Sequence, residues 1–195
     1  MTTFDGKAFF ASQLAEHLDV AALTRATLGD QFLHLVDLAL EALQGGGKLL
    51  FFGNGGSAAD AHNIATEFTI RYIKNRRALA ARALTTDGAA ITAAGNDFGF
   101  ETIFARQIEA LGRPGDLAVA ISTSGRSPNV LEGLKQARAM GLKTAALGGK
   151  GGGDMAPLCD CLLVVPSNTT GRIQEMHITL GQMLCGAIEH RLGLA

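Results

Sequence analysis

The hydrophobic rhythm of the chain changes once, and the change divides it. From Phe4 to about Leu43 apolar residues return at helical spacing, as in Phe32, Leu33, Val36, Leu40 and Leu43, until the stop at Gly45-Gly46-Gly47. That spacing predicts two N-terminal helices. Beyond the glycines, short apolar runs alternate with longer helical stretches. The runs Lys48 to Phe52, Leu79 to Leu84, Leu117 to Ser122, Thr144 to Leu147 and Cys161 to Val165 read as buried parallel strands. Between them Asp60 to Tyr72, Gly88 to Ala94, Thr102 to Leu111 and Pro128 to Met140 have helical character, and a last helix is expected from about Arg172 to His190. Such β-α alternation requires right-handed crossovers and predicts an open α/β sheet with helices on both faces. In that architecture ligands sit beyond the carboxyl ends of the strands. No repeat, low-complexity tract or linker divides the chain, so one domain over residues 1–195 is expected. The loop Gly148 to Gly153 is expected to be a mobile connection, with Lys150 a solvated loop lysine.

Charge and cysteine content narrow the function classes. A net charge of -1, from 17 basic and 18 acidic residues in 195, gives no electrostatic reason to bind nucleic acid or membrane. Cys159, Cys161 and Cys185 are odd in number and lack metal-ligand spacing, which suits reduced thiols in a cytoplasmic protein. Cys159 and Cys161 are expected on one side of a strand. The N-terminus lacks a signal-peptide core, and no apolar run reaches the roughly 18 residues of a membrane span.

Two loops carry candidate chemistry. Gly53-Asn54-Gly55-Gly56-Ser57 follows the first strand and opens a helix, so its backbone N–H groups are placed to approach an anion at a positive dipole end. Ser57 is placed either to donate its hydroxyl to phosphate or to cap the helix with Asp60 as capping-box partner, and the two roles can coexist. Ser122-Thr123-Ser124-Gly125-Arg126-Ser127 follows the third strand and precedes Pro128, which makes Ser127 a natural N-cap. Its hydroxyls exceed what capping requires, so Ser122, Thr123 and Ser124 are expected to touch a ligand. The spacing Gly53-x-Gly55-x-x-Ala58 also fits a loose dinucleotide fingerprint. That reading needs an acidic residue about 20 positions on, and Asp87 comes too late.

These loops, together with Gly95-Asn96-Asp97-Phe98-Gly99-Phe100 and Arg172-Ile173-Gln174-Glu175-Met176-His177, resemble the phosphoheptose isomerases of the sugar isomerase (SIS) superfamily. The likeness is collinear over nearly the whole chain. It implies a flavodoxin-like five-stranded parallel sheet, a homotetramer packed partly through residues 1–46, and active sites at subunit contacts. It implies conversion of sedoheptulose 7-phosphate to D-glycero-D-manno-heptose 7-phosphate in heptose biosynthesis. Residue by residue, it places Asn54, Gly55, Gly56, Ser57, Ser122, Thr123, Ser124 and Ser127 around the phosphate, with Asn96, Asp97 and Arg71 nearby and Gln174 on the sugar. Glu67 falls at the catalytic carboxylate. Without that role, it would form an i,i+4 ion pair with Arg71. Where the isomerases have two histidines for a divalent metal or proton transfer, this chain has Asn63 and Gln182. Gln182 and His177 are therefore candidates beside Glu67, and Zn2+, if bound, would take Glu67 and Gln174. His62 and His177 each lie five positions from Glu67 and Gln182, about 140° around a helix. The alternative implied is a non-catalytic SIS-domain protein that binds phosphosugar or associates with a replication initiator.

Overall fold

The computed structural model describes residues 4–195. Helices α1 (Gly6–Thr27) and α2 (Gly29–Gln44) come first, as the periodicity predicts. Asp5 caps α1 by accepting the N–H groups of Lys7 and Ala8. The alternating part follows as β1 (Leu49–Gly53), α3 (Gly56–Thr69), β2 (Ala81–Ala83), α4 (Gly88–Phe98) and α5 (Ile103–Leu111). It continues as β3 (Leu117–Ser122), α6 (Pro128–Ala139), β4 (Lys143–Gly148), β5 (Cys161–Val164) and α7 (Thr170–Arg191). All strand pairs are parallel, in the order β2-β1-β3-β4-β5.

Every residue of β1 and β3 is buried, because helices cover both sheet faces. Successive residues point to opposite faces, so Leu49, Phe51, Leu117, Val119 and Ile121 join one core with α2, α3 and α7. Leu50, Phe52, Ala118 and Ala120 join the other, against α5 and α6.

Several expectations shift. The second strand is shorter than its apolar run: Leu79 N–H turns away to Phe68 O at the end of α3 (3.0 Å), and only Ala81–Ala83 pair with β1. Helix α3 begins inside the glycine loop, at Gly56 rather than Asp60. Cys159 and Cys161 do not share a side: Cys161 belongs to the core under α2, whereas Cys159, ahead of β5, packs on the opposite core. Burial pushes the thiols of Cys159, Cys161 and Cys185 up to about 12, 11 and 12. The Gly148–Gly153 loop is pinned instead of free. Asp154 N–H donates to Gly125 O (2.9 Å), and Gly152 lies so close to Gly125 that a Cβ on the latter would overlap it. Lys150 is exposed.

Candidate active site

In this strand order the crossovers leave in opposite directions from β1 and β3, which makes the gap between their carboxyl ends the place for a ligand. Gly53 pairs with Ile121 in register, so the two loops begin at the same level. A side chain at position 53 would put its Cβ 2.5 Å from Ile121 O, and glycine alone allows the approach. Asn54 and Asn129 then tie the loop after β1 to the first turn of α6.

Both helices that start here lack a side-chain cap. The N-cap of α3 is Gly55, at φ 55 and ψ −121, a backbone conformation that favours glycine. Ser57 is therefore not the cap, and the capping box with Asp60 does not form. Ser57 lies in the first turn and is 5 % exposed. Ser127 does occupy the N-cap of α6 before Pro128, as expected, yet its hydroxyl makes no capping bond. Ser122 Oγ accepts Gly125 N–H (3.1 Å) and Ser124 Oγ accepts Arg126 N–H (3.3 Å). With those acceptor sites engaged, each hydroxyl still has its O–H to donate. Unpaired helix N–H groups and spare hydroxyl donors at adjoining strand ends suit a phosphate dianion.

From this point α3 and α7 pack side by side in parallel, with Gly181 against Ile64, and the seam between the two helices forms a shallow groove on the surface. Gln174 rests on Gly56, where any Cβ would collide with its amide. Farther along, Gln182 Nε2–H donates to Asn63 Oδ1 at 2.6 Å. Intervals of seven and four residues put Gly56, Asn63 and Glu67 in one stripe along α3, with Glu67 about 16 Å from Gly56 along the axis. The Glu67 carboxylate is near enough to Cys185 of α7 to help raise that thiol's pKa. Behind it, Arg76 closes the helix end: Nη2 donates to Glu67 O (2.7 Å), Nη1 to Phe68 O (2.8 Å) and Nε to Glu189 Oε1 (2.7 Å).

The SIS domain family matches residues 14–149. The phosphoheptose isomerase of Paramagnetospirillum magneticum is 57 % identical over 181 residues, covering 93 % of this chain and 94 % of the relative. The chain belongs to the phosphoheptose isomerase family. A second relative, phosphoheptose isomerase 1 of Campylobacter jejuni, is 52 % identical over 174 residues, 89 % of this chain and 93 % of its own. The solved phosphoheptose isomerase of Neisseria gonorrhoeae superposes with a TM-score of 0.89 at 42 % identity, covering 94 % of this chain and 98 % of that one. That of Francisella tularensis gives 0.93 at 33 % identity, with 96 % and 100 % coverage. Membership makes this chain an isomerase with the expected fold.

Against that family background, some assigned residues meet and others do not. Asn54, Gly55, Gly56, Ser57, Ser122, Thr123, Ser124 and Ser127 gather at the two loops, and Gln174 joins them from α7. Arg71 does not. It lies past the far end of α3, about 20 Å along the axis from the loops, and donates to Ile73 O (3.1 Å) rather than pairing with Glu67. Asn96 and Asp97 are exposed at the end of α4, where Asn96 Nδ2–H donates to Asp97 Oδ1 (2.7 Å), with no hydrogen bond to the loops. His177 also departs from its expected role. It is 0 % exposed, its Nε2 pairs with Gly148 O (3.0 Å), and burial pushes it down to about 4. A neutral ring sealed in the core does not exchange protons with a ligand.

Sequence patterns missed Asn129 and the Arg76–Glu189 pair. Asn129 follows a Ser-Pro helix start, where nothing in spacing separates a buried amide from an exposed one. Arg76 sits in a polar stretch that reads as loop.

The residues expected to hold zinc do not fit it. Asn63, Gln174 and Gln182 are neutral amides, Asn63 Oδ1 is already taken by Gln182, and Glu67 is the one charged donor of the four. Among the described residues no cluster of three or more His, Cys, Asp or Glu is placed to hold a metal ion. No helix among them is long and apolar enough to cross a membrane.

Proposed function

We propose that this chain interconverts sedoheptulose 7-phosphate and D-glycero-D-manno-heptose 7-phosphate, with Glu67 as the base. The observation that carries the reading is the stripe on α3 that joins the anion-binding helix starts to a carboxylate. The phosphate anchors at Ser57, Ser122, Ser124 and Ser127, and the seven-carbon chain lies along the α3–α7 groove. Glu67 removes the proton from C1, next to the C2 carbonyl. The electrons form the C1–C2 double bond of an enediol, and the C2 oxygen, gaining negative charge, takes N–H bonds from the amides of the groove. A proton moves from the C1 oxygen to the C2 oxygen. Glu67 then returns its proton to C2, leaving the aldehyde at C1.

The family's tetramer, cytoplasmic location and place in heptose biosynthesis come with the proposal. Exposed Phe9, Phe10, Leu14 and Leu18 on α1 support packing against further copies. An apolar cavity of about 460 Å³, lined in part by Ala21, Phe32, Met176 and Leu180, adjoins the same helices. Light scattering of the purified chain reads the assembly.

The activity is tested by incubating the protein with sedoheptulose 7-phosphate in D2O. The aldose 7-phosphate, with deuterium at C2, is the expected product by NMR. Binding of the ketose without any product or exchange would overturn the isomerase reading.

A further inference from the structure

We infer that the Asn63–Gln182 pair keeps this site free of metal and supplies neutral hydrogen-bond donors in a cation's place. The inference deepens the isomerase reading and rests on it for the identity of the oxygens those donors serve.

A divalent cation between α3 and α7 needs oxygens or imidazole nitrogens turned toward it. Asn63 Oδ1 is instead occupied by Gln182 Nε2–H at 2.6 Å, and the hydrogens of that amino group would repel a cation beside it. Breaking the pair would free Asn63 Oδ1, and Gln182 Oε1 takes no part in it, but both oxygens are neutral and weak toward zinc, which selects thiolate, imidazole and carboxylate. Glu67 would remain the one anionic ligand. No imidazole stands in: His62 lies about 140° around α3 from Glu67, and His177 is buried against Gly148 O.

The same pair leaves useful groups over. With its oxygen held by Gln182, Asn63 keeps both Nδ2–H donors, and these have no protein partner among the described residues. Asn63 is exposed and one helical turn before Glu67, so a sugar oxygen presented to the carboxylate meets those donors. Donors fixed before the reaction stabilise a developing oxyanion without a metal, and losing one from such a site costs about 10²–10³ in kcat. Gln182 orients the donor and is a positioning residue.

Isothermal titration of the purified protein with ZnCl2, with metal analysis after desalting, tests the point without substrate. The expected result is no stoichiometric zinc, and turnover unchanged by EDTA. The double variant Asn63→His with Gln182→His is expected to gain one zinc per chain. One zinc per wild-type chain, lost in Glu67→Gln, would overturn the inference, as would turnover abolished by EDTA and restored by zinc. Failure of the double variant to take up zinc would equally count against it, because amide chemistry would then not be what excludes the ion. If no turnover appears in any buffer, the isomerase reading fails, and the titration still decides whether the site takes metal.

Discussion

Asn54 and Asn129 exchange two amide hydrogen bonds of 2.8 Å across the gap between the loop after β1 and the first turn of α6. Each amide uses one donor and one acceptor on the other, so the pair fixes the distance between the loops and their relative angle. Asn129 is 2 % exposed, which leaves no water to substitute for a lost partner. Asn129→Ala is expected to destabilise the fold by about 1–3 kcal/mol. It should also weaken phosphate binding roughly tenfold or more, since hydroxyls and helix N–H groups from both loops must converge on one anion. Urea unfolding and a phosphate titration read the two effects, and unchanged phosphate affinity would show that the loops hold their spacing without the pair.

The proposed mechanism separates binding from chemistry along α3. With Glu67 as the proposed base, Glu67→Gln removes the base and keeps the shape, so kcat is expected to fall by about 10²–10⁴ with KM little changed. Ser124→Ala takes a hydroxyl from the anion site and is expected to raise KM more than it lowers kcat. Steady-state kinetics on sedoheptulose 7-phosphate check both, and a Glu67→Gln variant with full turnover would remove the carboxylate from the mechanism.

The strands and both loops were legible because β-α alternation and glycine after a strand have few other physical readings. β3 (Leu117–Ser122) matches its apolar run, and β1 extends only to the glycine that ends it. The places of His177 in the core and of Arg71 beyond α3 share a cause: burial and position depend on which neighbours pack, and no local pattern encodes that. In sequence Ser57 reads as a cap because Ser with an acid three residues on often is one. Gly55 took the position instead, as its left-handed backbone let the helix start earlier.

His177 gives the fold a predictable acid limb. Its native pKa of about 4 lies below the ordinary 6.5, because the buried site disfavours the charged ring. Below pH 6.5 the unfolded chain takes up a proton that the folded chain refuses, so stability falls from pH 6.5 to about 4 and is flat above. The total is about 3 kcal/mol. His177→Gln retains a donor for Gly148 O and does not titrate. Unfolding free energies from pH 4 to 8 are expected to lose that limb in the variant, and an identical slope would place the acid sensitivity elsewhere.

Asp60 acts in the opposite sense. Its Oδ2 is buried without a partner, the residue is 8 % exposed, and desolvation pushes its pKa from 3.8 to about 6. The folded state favours the neutral acid, so this group penalises stability increasingly as pH rises from 3.8 to 6, by about 2–3 kcal/mol in full. Asp60→Asn, which removes the charge and keeps the size, is expected to raise Tm at pH 8 and to leave it nearly unchanged at pH 4. Equal gains at both pH values would contradict a desolvated carboxylate.

Arg76 and Glu189 separate stability from positioning. Their side chains are each 2 % exposed and meet at 2.7 Å, and Glu189 also accepts Tyr72 N–H (3.2 Å). Arg76→Met would strand a buried carboxylate, at a cost of about 3–5 kcal/mol, whereas adding Glu189→Leu removes the stranded charge and should recover much of that loss. The carbonyls of Glu67 and Phe68 remain without their guanidinium donors in either case. The end of α3 that carries Glu67, the proposed base, is then held less firmly, and a small displacement of a catalytic group costs rate. The double variant is therefore expected to regain stability in urea while its kcat stays at least tenfold low. Recovery of both together would mean that the ion pair serves the fold alone.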